Sequence, residues 1–271
     1  MTVIDFHHHL LAEEDYLERL IATCDAMGID KVCLSGLGIG GAGRADYGLG
    51  SLSPNNEDVQ KAMERYPDRI IGLGVIKLGL DWPEKVKELH DRGFKGLKIT
   101  RPRANYDDDA YLPFYEKAEE LDMPILFHTG IMMVTPADGA DDVSSARMRP
   151  IYVDRIARKF PALMIILAHL GVPWFQEASE LARFHQNVYV DWTGSPVGWR
   201  PRKAPGFFQD LFYWDGAFEK VLFGTDVHYR EMKAVYDDYR RILRLLNLPE
   251  STCQAIMGGT AARLLHLEGG N

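Results

Sequence analysis

Apolar and polar residues alternate along this chain in two rhythms. Short aliphatic runs of strand length recur from end to end: "TVIDFHH", "KVCLSGL", "RIIGLGVIK", "FKGLKIT", "PILFHTG", "LMIILAHLG", "NVYVDWTG" and "KVLFGTDVH". Between them, apolar residues return every three or four positions, the period of a helix with one buried face. Leu17, Leu20, Ile21, Cys24 and Met27 form the first such face, and "NEDVQKAMERYP", "WPEKVKELHDRG", "YLPFYEKAEELD", "PIYVDRIARKFP" and "PWFQEASELARF" behave alike. Several of these stretches end on Gly or Pro, where a helix should stop. Alternating runs of this kind predict parallel βα units. Eight of them predict one α/β domain over residues 1–271, a (β/α)8 TIM barrel, and 271 residues suit a fold that typically needs about 250.

The same alternation also fits a doubly wound open sheet, and "GLGIGG" offers the G-x-G-x-x-G spacing at Gly36, Gly38 and Gly41. A dinucleotide fingerprint should open a helix at once and be followed about 20 residues on by an acidic ribose ligand. Here the chain runs through "RADYGLGSLSPNN" before a helical pattern begins. The stretch therefore reads as a βα loop over a barrel mouth.

Composition narrows the class of partner. With 31 Lys+Arg against 39 Asp+Glu, the net charge of −8 argues against nucleic acid and anionic membranes and favours small-molecule chemistry. Cys24, Cys33 and Cys253 lie far apart with no CxxC pair, which fits a reducing compartment. The chain opens on no leader-like segment, and no apolar stretch reaches the roughly 18 residues of a membrane span. A cytoplasmic location is expected.

The chemistry gathers where the apolar runs end. A purification tag is the bland reading of "HHH", but tags are usually longer and followed by a linker, whereas Val3, Ile4 and Phe6 lead into this one as a strand. Strand alternation sends His7 and His9 to one face and His8 to the other. The fifth run brings His128, the sixth His169 and the eighth Asp226. One histidine after an apolar run is more often a hydrogen-bonded core residue than a ligand. Four histidines and an aspartate at four strand ends of one barrel instead describe a catalytic Zn²⁺ or Mn²⁺ site with an open position. His90, His185 and His266 fall in helical or connecting stretches and read as solvated or structural.

These features resemble the amidohydrolase superfamily, and within it the amidohydrolase-related (amidohydrolase 2) branch of TIM-barrel metal-dependent hydrolases and decarboxylases. The resemblance rests on an ordered set: "IDFHHH", "GFKGLKI", "PILFHTG", "RPIYVDRIARKFPALMIILAHLG", "NVYVDWTG", "VLFGTD" and "IMGGTAARLLHL", the last read as a final helix. Thr260 stands where this branch usually has Asn before "AARLL". The resemblance implies that His7, His9, His128 and Asp226 bind one divalent ion, zinc first and manganese second. It also implies that His169 hydrogen-bonds the metal water or the substrate, or else ligates a second ion. Asp226 and His169 are then the catalytic pair, able to accept and shuttle a proton. Lys98, in the fourth run, is a carboxylated bridge between two ions, an ammonium for a substrate carboxylate, or a snorkelling lysine. The branch favours the mononuclear form, and its members are often homodimers.

Candidate substrate contacts lie in the long βα loops. Arg147 and Arg149 could hold a carboxylate bidentately, or pair with the "DGADD" acids. Trp192, Trp199 and Arg200 could form an aromatic wall with a cation, and His228 shares the face of Asp226 if its strand continues. The expectation is a hydrolase acting on an amide, ester or lactone of a small carbonyl substrate through a metal-activated water. The alternative is a non-oxidative decarboxylase (carboxy-lyase) of an aromatic or unsaturated acid, less favoured because such members of the branch tend to be longer. A metal-free lactonase is disfavoured by the full ligand set, and so is a barrel that binds a metabolite without turnover.

Overall fold

The computed structural model describes residues 2–37, 54–134, 138 and 142–267. Its strands are β1 Ile4–His9, β2 Lys31–Ser35, β3 Ile70–Ile76, β4 Gly96–Ile99, β5 Ile125–Phe127, β6 Ile165–Leu167, β7 Val188–Asp191 and β8 Val221–Leu222. Each coincides with one of the eight apolar runs, β1 ending one residue beyond its own. They form a single sheet in chain order, every neighbouring pair parallel. Backbone bonds from Phe6 N to Phe223 O (3.0 Å) and from Asp226 N to His7 O (2.7 Å) bring β8 back to β1. This is the expected (β/α)8 barrel, and its unbroken order excludes the doubly wound alternative. Gly38 and Gly41 of the glycine-rich loop lie outside the described residues; beyond it, Asn55 caps the next helix through a capping box.

Between the strands run α1 Tyr16–Met27, α2 Asn56–Arg65, α3 Glu84–Asp91, α4 Leu112–Glu120, α5 Val153–Lys159, α6 Phe175–Phe184, α7 Pro205–Leu211 and α8 Met232–Leu245. The first six match the helical stretches read from the sequence. The longest, α8, was not among them, although Met232, Val235, Tyr239 and Ile242 bury the three-and-four stripe that marks such a helix. The final "IMGGTAARLLHL" is not one regular helix. A wide turn over Ala255–Gly259 precedes a short helix, Thr260–Leu264. Gly258 stands where a Cβ would lie 2.1 Å from Thr2 O, so the chain entering β1 needs a glycine there.

Strand alternation sorts the core into two layers. Ile4, Phe6, Cys33, Leu73, Leu126 and Ile166 fill the barrel floor. Val32, Leu34, Leu97, Phe127, Val190 and Trp192 face outward beneath the helices. With its floor packed with hydrocarbon, the barrel leaves its C-terminal mouth for chemistry.

Strand β1 breaks the strict alternation. Asp5 pairs with Val32 and His8 with Leu34, so the register advances by three residues on β1 against two on β2. This bulge lets Phe6 and His7, adjacent in sequence, both face the interior, where strict alternation from Ile4 would have turned His7 outward. The Asp5 carboxylate holds the bulge by accepting the His7 N–H at 3.1 Å.

Candidate metal centre

The mouth of the barrel collects three ligand atoms. His7, His9 and Asp226 each offer one, all within 4.8 Å of one another. Asp226 Oδ1 lies 3.3 Å from His9 Nε2 and 3.7 Å from His7 Nε2. Donors bonded at about 2.0–2.2 Å around a tetrahedral ion are themselves about 3.3–3.6 Å apart, so this spacing fits a zinc-sized ion. Both histidines present Nε2 because Nδ1 is engaged elsewhere: His7 Nδ1 with Asp191 Oδ2 at 2.8 Å, and His9 Nδ1 with Gly36 O at 3.0 Å. Carboxylate and carbonyl partners of this kind fix the tautomer that ligates.

Burial sets the charges. It pushes His7 down to about 4, helped by the Lys98 charge, so His7 is neutral and ready to ligate at neutral pH. His128 falls well below the ordinary histidine value for the same reason, with the His169 and Lys98 charges adding to it. Burial opposes ionisation of Asp226, but the charge of His7 and the hydrogen bond and charge of His9 hold it well below the ordinary carboxylate value. Asp226 and His169 both adopt left-handed backbone, φ 49° and 59°, a conformation uncommon for non-glycine residues and more often taken by Asp and His than by most.

Behind these donors, buried polar atoms tie the strand ends together. Asp191, fully buried at the end of β7, accepts the backbone N–H groups of His169 (2.7 Å) and Thr193 (2.9 Å) on Oδ1. Thr193 Oγ1 donates to the same oxygen at 2.5 Å and stands 2.8 Å from His169 Nδ1. His169 Nε2 lies 3.6 Å from Asp226 Oδ2 and 3.2 Å from His128 Nδ1. His128 lies beside the trio rather than within it, and its buried Nε2 meets no hydrogen-bond partner. A buried ring nitrogen without a partner, beside three converging donors, is what a cation would relieve, so these residues fit a divalent ion.

A family model described as amidohydrolase matches residues 4–267. The chain belongs to the amidohydrolases. Among solved structures, an uncharacterised TIM-barrel protein from Bordetella bronchiseptica is 20% identical, with a TM-score of 0.71 over 98% of this chain and 99% of that one. A probable 2-pyrone-4,6-dicarboxylic acid hydrolase from Acinetobacter baumannii, with citric acid bound, is 15% identical, with a TM-score of 0.67 over 98% and 100%. A dihydroxybenzoic acid decarboxylase from a Polaromonas species, with manganese and an inhibitor, 2-nitroresorcinol, bound, is 18% identical, with a TM-score of 0.68 over 99% and 98%. At these identities the likeness shows a shared barrel.

The amidohydrolase barrel brings some of the expected residues together and not others. Lys98 is inside, 2% exposed, with Nζ 2.7 Å from His7 Nε2. Burial lowers it to about 8 against the opposing charges of Asp226 and Asp191, and its amine competes with an ion for the one His7 lone pair. A snorkelling lysine is therefore ruled out. Trp192 is not at the mouth: it faces outward from the end of β7, fully buried among Phe208, Phe212 and Tyr239, because its neighbour Asp191 takes the inward position. Arg200 is likewise sequestered, 1% exposed, bonded to Asp238 and to Trp192 O.

Arg147 is tied to Asp142 in its own loop (2.7 Å), as the alternative reading held, and Arg149 pairs with Glu177 above the Trp174 ring. His228 bonds Glu13 at 3.0 Å and accepts from Arg230 N, outside the ligand trio. His8 faces away from the trio, between Thr225 Oγ1 (2.8 Å) and Tyr16 OH (3.0 Å). His185 and His266 pair with Asp154 and Asp122 at helix ends. Sequence reasoning missed Asp5, Asp191 and Thr193. Asp191 carries the same signal as the named ligands, a charged residue closing an aliphatic run.

Proposed function

We propose that this amidohydrolase is a metal-dependent hydrolase of a small amide, ester or lactone, with one divalent ion, zinc first and manganese second, held by His7, His9, His128 and Asp226. The observation that carries the reading is the position of Asp226: one carboxylate oxygen faces His7 and His9, and the other lies 3.6 Å from His169. A divalent ion held there would polarise a carbonyl and lower the pKa of its water towards about 7. Asp226 Oδ2 and His169 Nε2 would accept the proton that water releases on attacking the carbonyl and return it to the leaving group.

A carboxylate-bearing substrate is supported by the citric acid bound to the Acinetobacter hydrolase. Lys98 offers a buried cation for that group, and Arg147 and Arg149 would have to exchange the partners they now hold. The decarboxylase reading is favoured by the likeness to the Polaromonas enzyme, whose bound manganese also supports manganese as the alternative ion. The two readings part in one experiment. The zinc- and manganese-loaded protein is offered lactones, amides and hydroxybenzoates in ¹⁸O-labelled water. Label entering a carboxylate product supports hydrolysis, release of CO₂ from hydroxybenzoates supports the alternative, and metal-replete protein inert towards every class would contradict both.

A further inference from the structure

The hydrogen bonds around Asp191 have a direction that distances alone do not give. Oδ1 faces two backbone N–H groups, from His169 and Thr193, and these can only donate, so that oxygen is an acceptor. The Thr193 hydroxyl has one proton, and at 2.5 Å from Oδ1 it gives that proton to the carboxylate. Towards His169 Nδ1, 2.8 Å away, the hydroxyl can then only accept, so the imidazole must carry its proton on Nδ1. The lone pair is left on Nε2, the nitrogen that faces Asp226 and His128.

We propose that Asp191 and Thr193 form a tautomer lock that keeps Nε2 of His169 unprotonated and turned into the metal centre. The ordering passes one ring further. His128 Nδ1 lies 3.2 Å from His169 Nε2, and with a lone pair on the latter, His128 must donate from Nδ1. Its own lone pair then sits on Nε2, the buried atom that has no hydrogen-bond partner. One carboxylate therefore prepares three imidazoles: His7 directly through Oδ2, His169 through Thr193, and His128 through His169. Thr193 is a positioning residue, since it acts on the reaction only through His169. The catalytic consequence rests on the hydrolase reading above, but the proton's location does not.

The test is ¹⁵N NMR of the histidine side chains in the metal-free and zinc-loaded protein, above neutral pH, in the wild type and in Thr193→Ser, Thr193→Val and Thr193→Ala. In the metal-free wild type and in Thr193→Ser, His169 is expected as a single Nδ1–H tautomer. In Thr193→Val the acceptor is gone, and a mixture or the Nε2–H form is expected. Thr193→Ala serves the same purpose should the valine variant fail to fold. With a substrate found as above, Val or Ala should lower kcat by about 10–100-fold with KM nearly unchanged, and Ser should restore it. An Nε2–H His169 in the wild type, or an unchanged tautomer in both Val and Ala, would overturn the lock. Because the spectra are read without turnover, that failure is distinct from failure of the hydrolase reading.

Discussion

Asp5 and Thr225 join the two ends of the barrel. One carboxylate oxygen of Asp5 accepts the backbone N–H of Thr225 at 2.9 Å and that of His7 at 3.1 Å, while the other takes the Thr225 hydroxyl at 2.5 Å. The peptide before Asp226 and the peptide of His7 are thus set by one buried side chain, and the bulge that turns His7 inward depends on it.

Replacing Asp5 by alanine strips two buried backbone donors of their acceptor, at about 1–3 kcal/mol each. Asp5→Ala is expected to lower Tm and to weaken metal binding by about 10–100-fold. Asp5→Asn keeps an acceptor oxygen for the backbone and should lose less on both counts, as thermal melts and metal titration would show. Equal losses in the two variants would contradict the clamp.

Alternation beyond the bulge turns His7 and His9 inward and His8 outward. His7→Ala and His9→Ala are expected to abolish metal binding. His8→Ala should keep the metal and lose about 1–3 kcal/mol of stability, because Thr225 and Tyr16 lose a buried partner. Metal content that falls alike in all three would sink the strand-one assignment.

The bulge marks the limit of what was legible in the sequence. The barrel was, since each strand is a contiguous apolar run and parallel order follows from the helices between. The convergence of His7, His9 and Asp226 was, since a donor at the end of an aliphatic run is a local signal, whereas His128, read the same way, stands beside them. The bulge was not, because nothing in "IDFHHH" shows which two neighbours share a face; the inward turn of His7 comes from Asp5 reaching Thr225, 220 residues away. Trp192 was misplaced for the opposite reason. An aromatic beside a strand end reads equally as wall or as packing, and only the inward position of Asp191 decides between them.

Asp226→Asn should lower turnover by about a hundredfold or more while leaving the melting temperature close to wild type, because an amide cannot accept the proton and ligates poorly. His169→Ala should keep its metal and lose activity as heavily. Loss of metal in His169→Ala would make that residue a ligand instead, and near-normal activity in Asp226→Asn would move the base elsewhere.

The metal-free protein should lose stability as pH falls. His7 ionises near 6.5 when unfolded but near 4 when folded, so between these values the unfolded chain binds more protons and acid favours unfolding. Asp191, held down to about 2 by the charge and hydrogen bond of His7 against the opposing effect of burial, extends the loss below its unfolded value near 3.8. Denaturant melts should give a stability that is level between about 6.5 and 8, where Lys98 begins to titrate, and that declines below about 6.5. A stability that rises on acidification would contradict a buried neutral His7.

The central claim is that His7, His9, His128 and Asp226 hold one catalytic ion, and elemental analysis of the purified protein tests it most directly. Wild-type protein reconstituted with zinc and freed of excess by gel filtration should retain about one ion per chain, and His9→Ala should retain almost none under the same treatment. A wild type that keeps no ion, or a His9→Ala variant that keeps a full one, would contradict it.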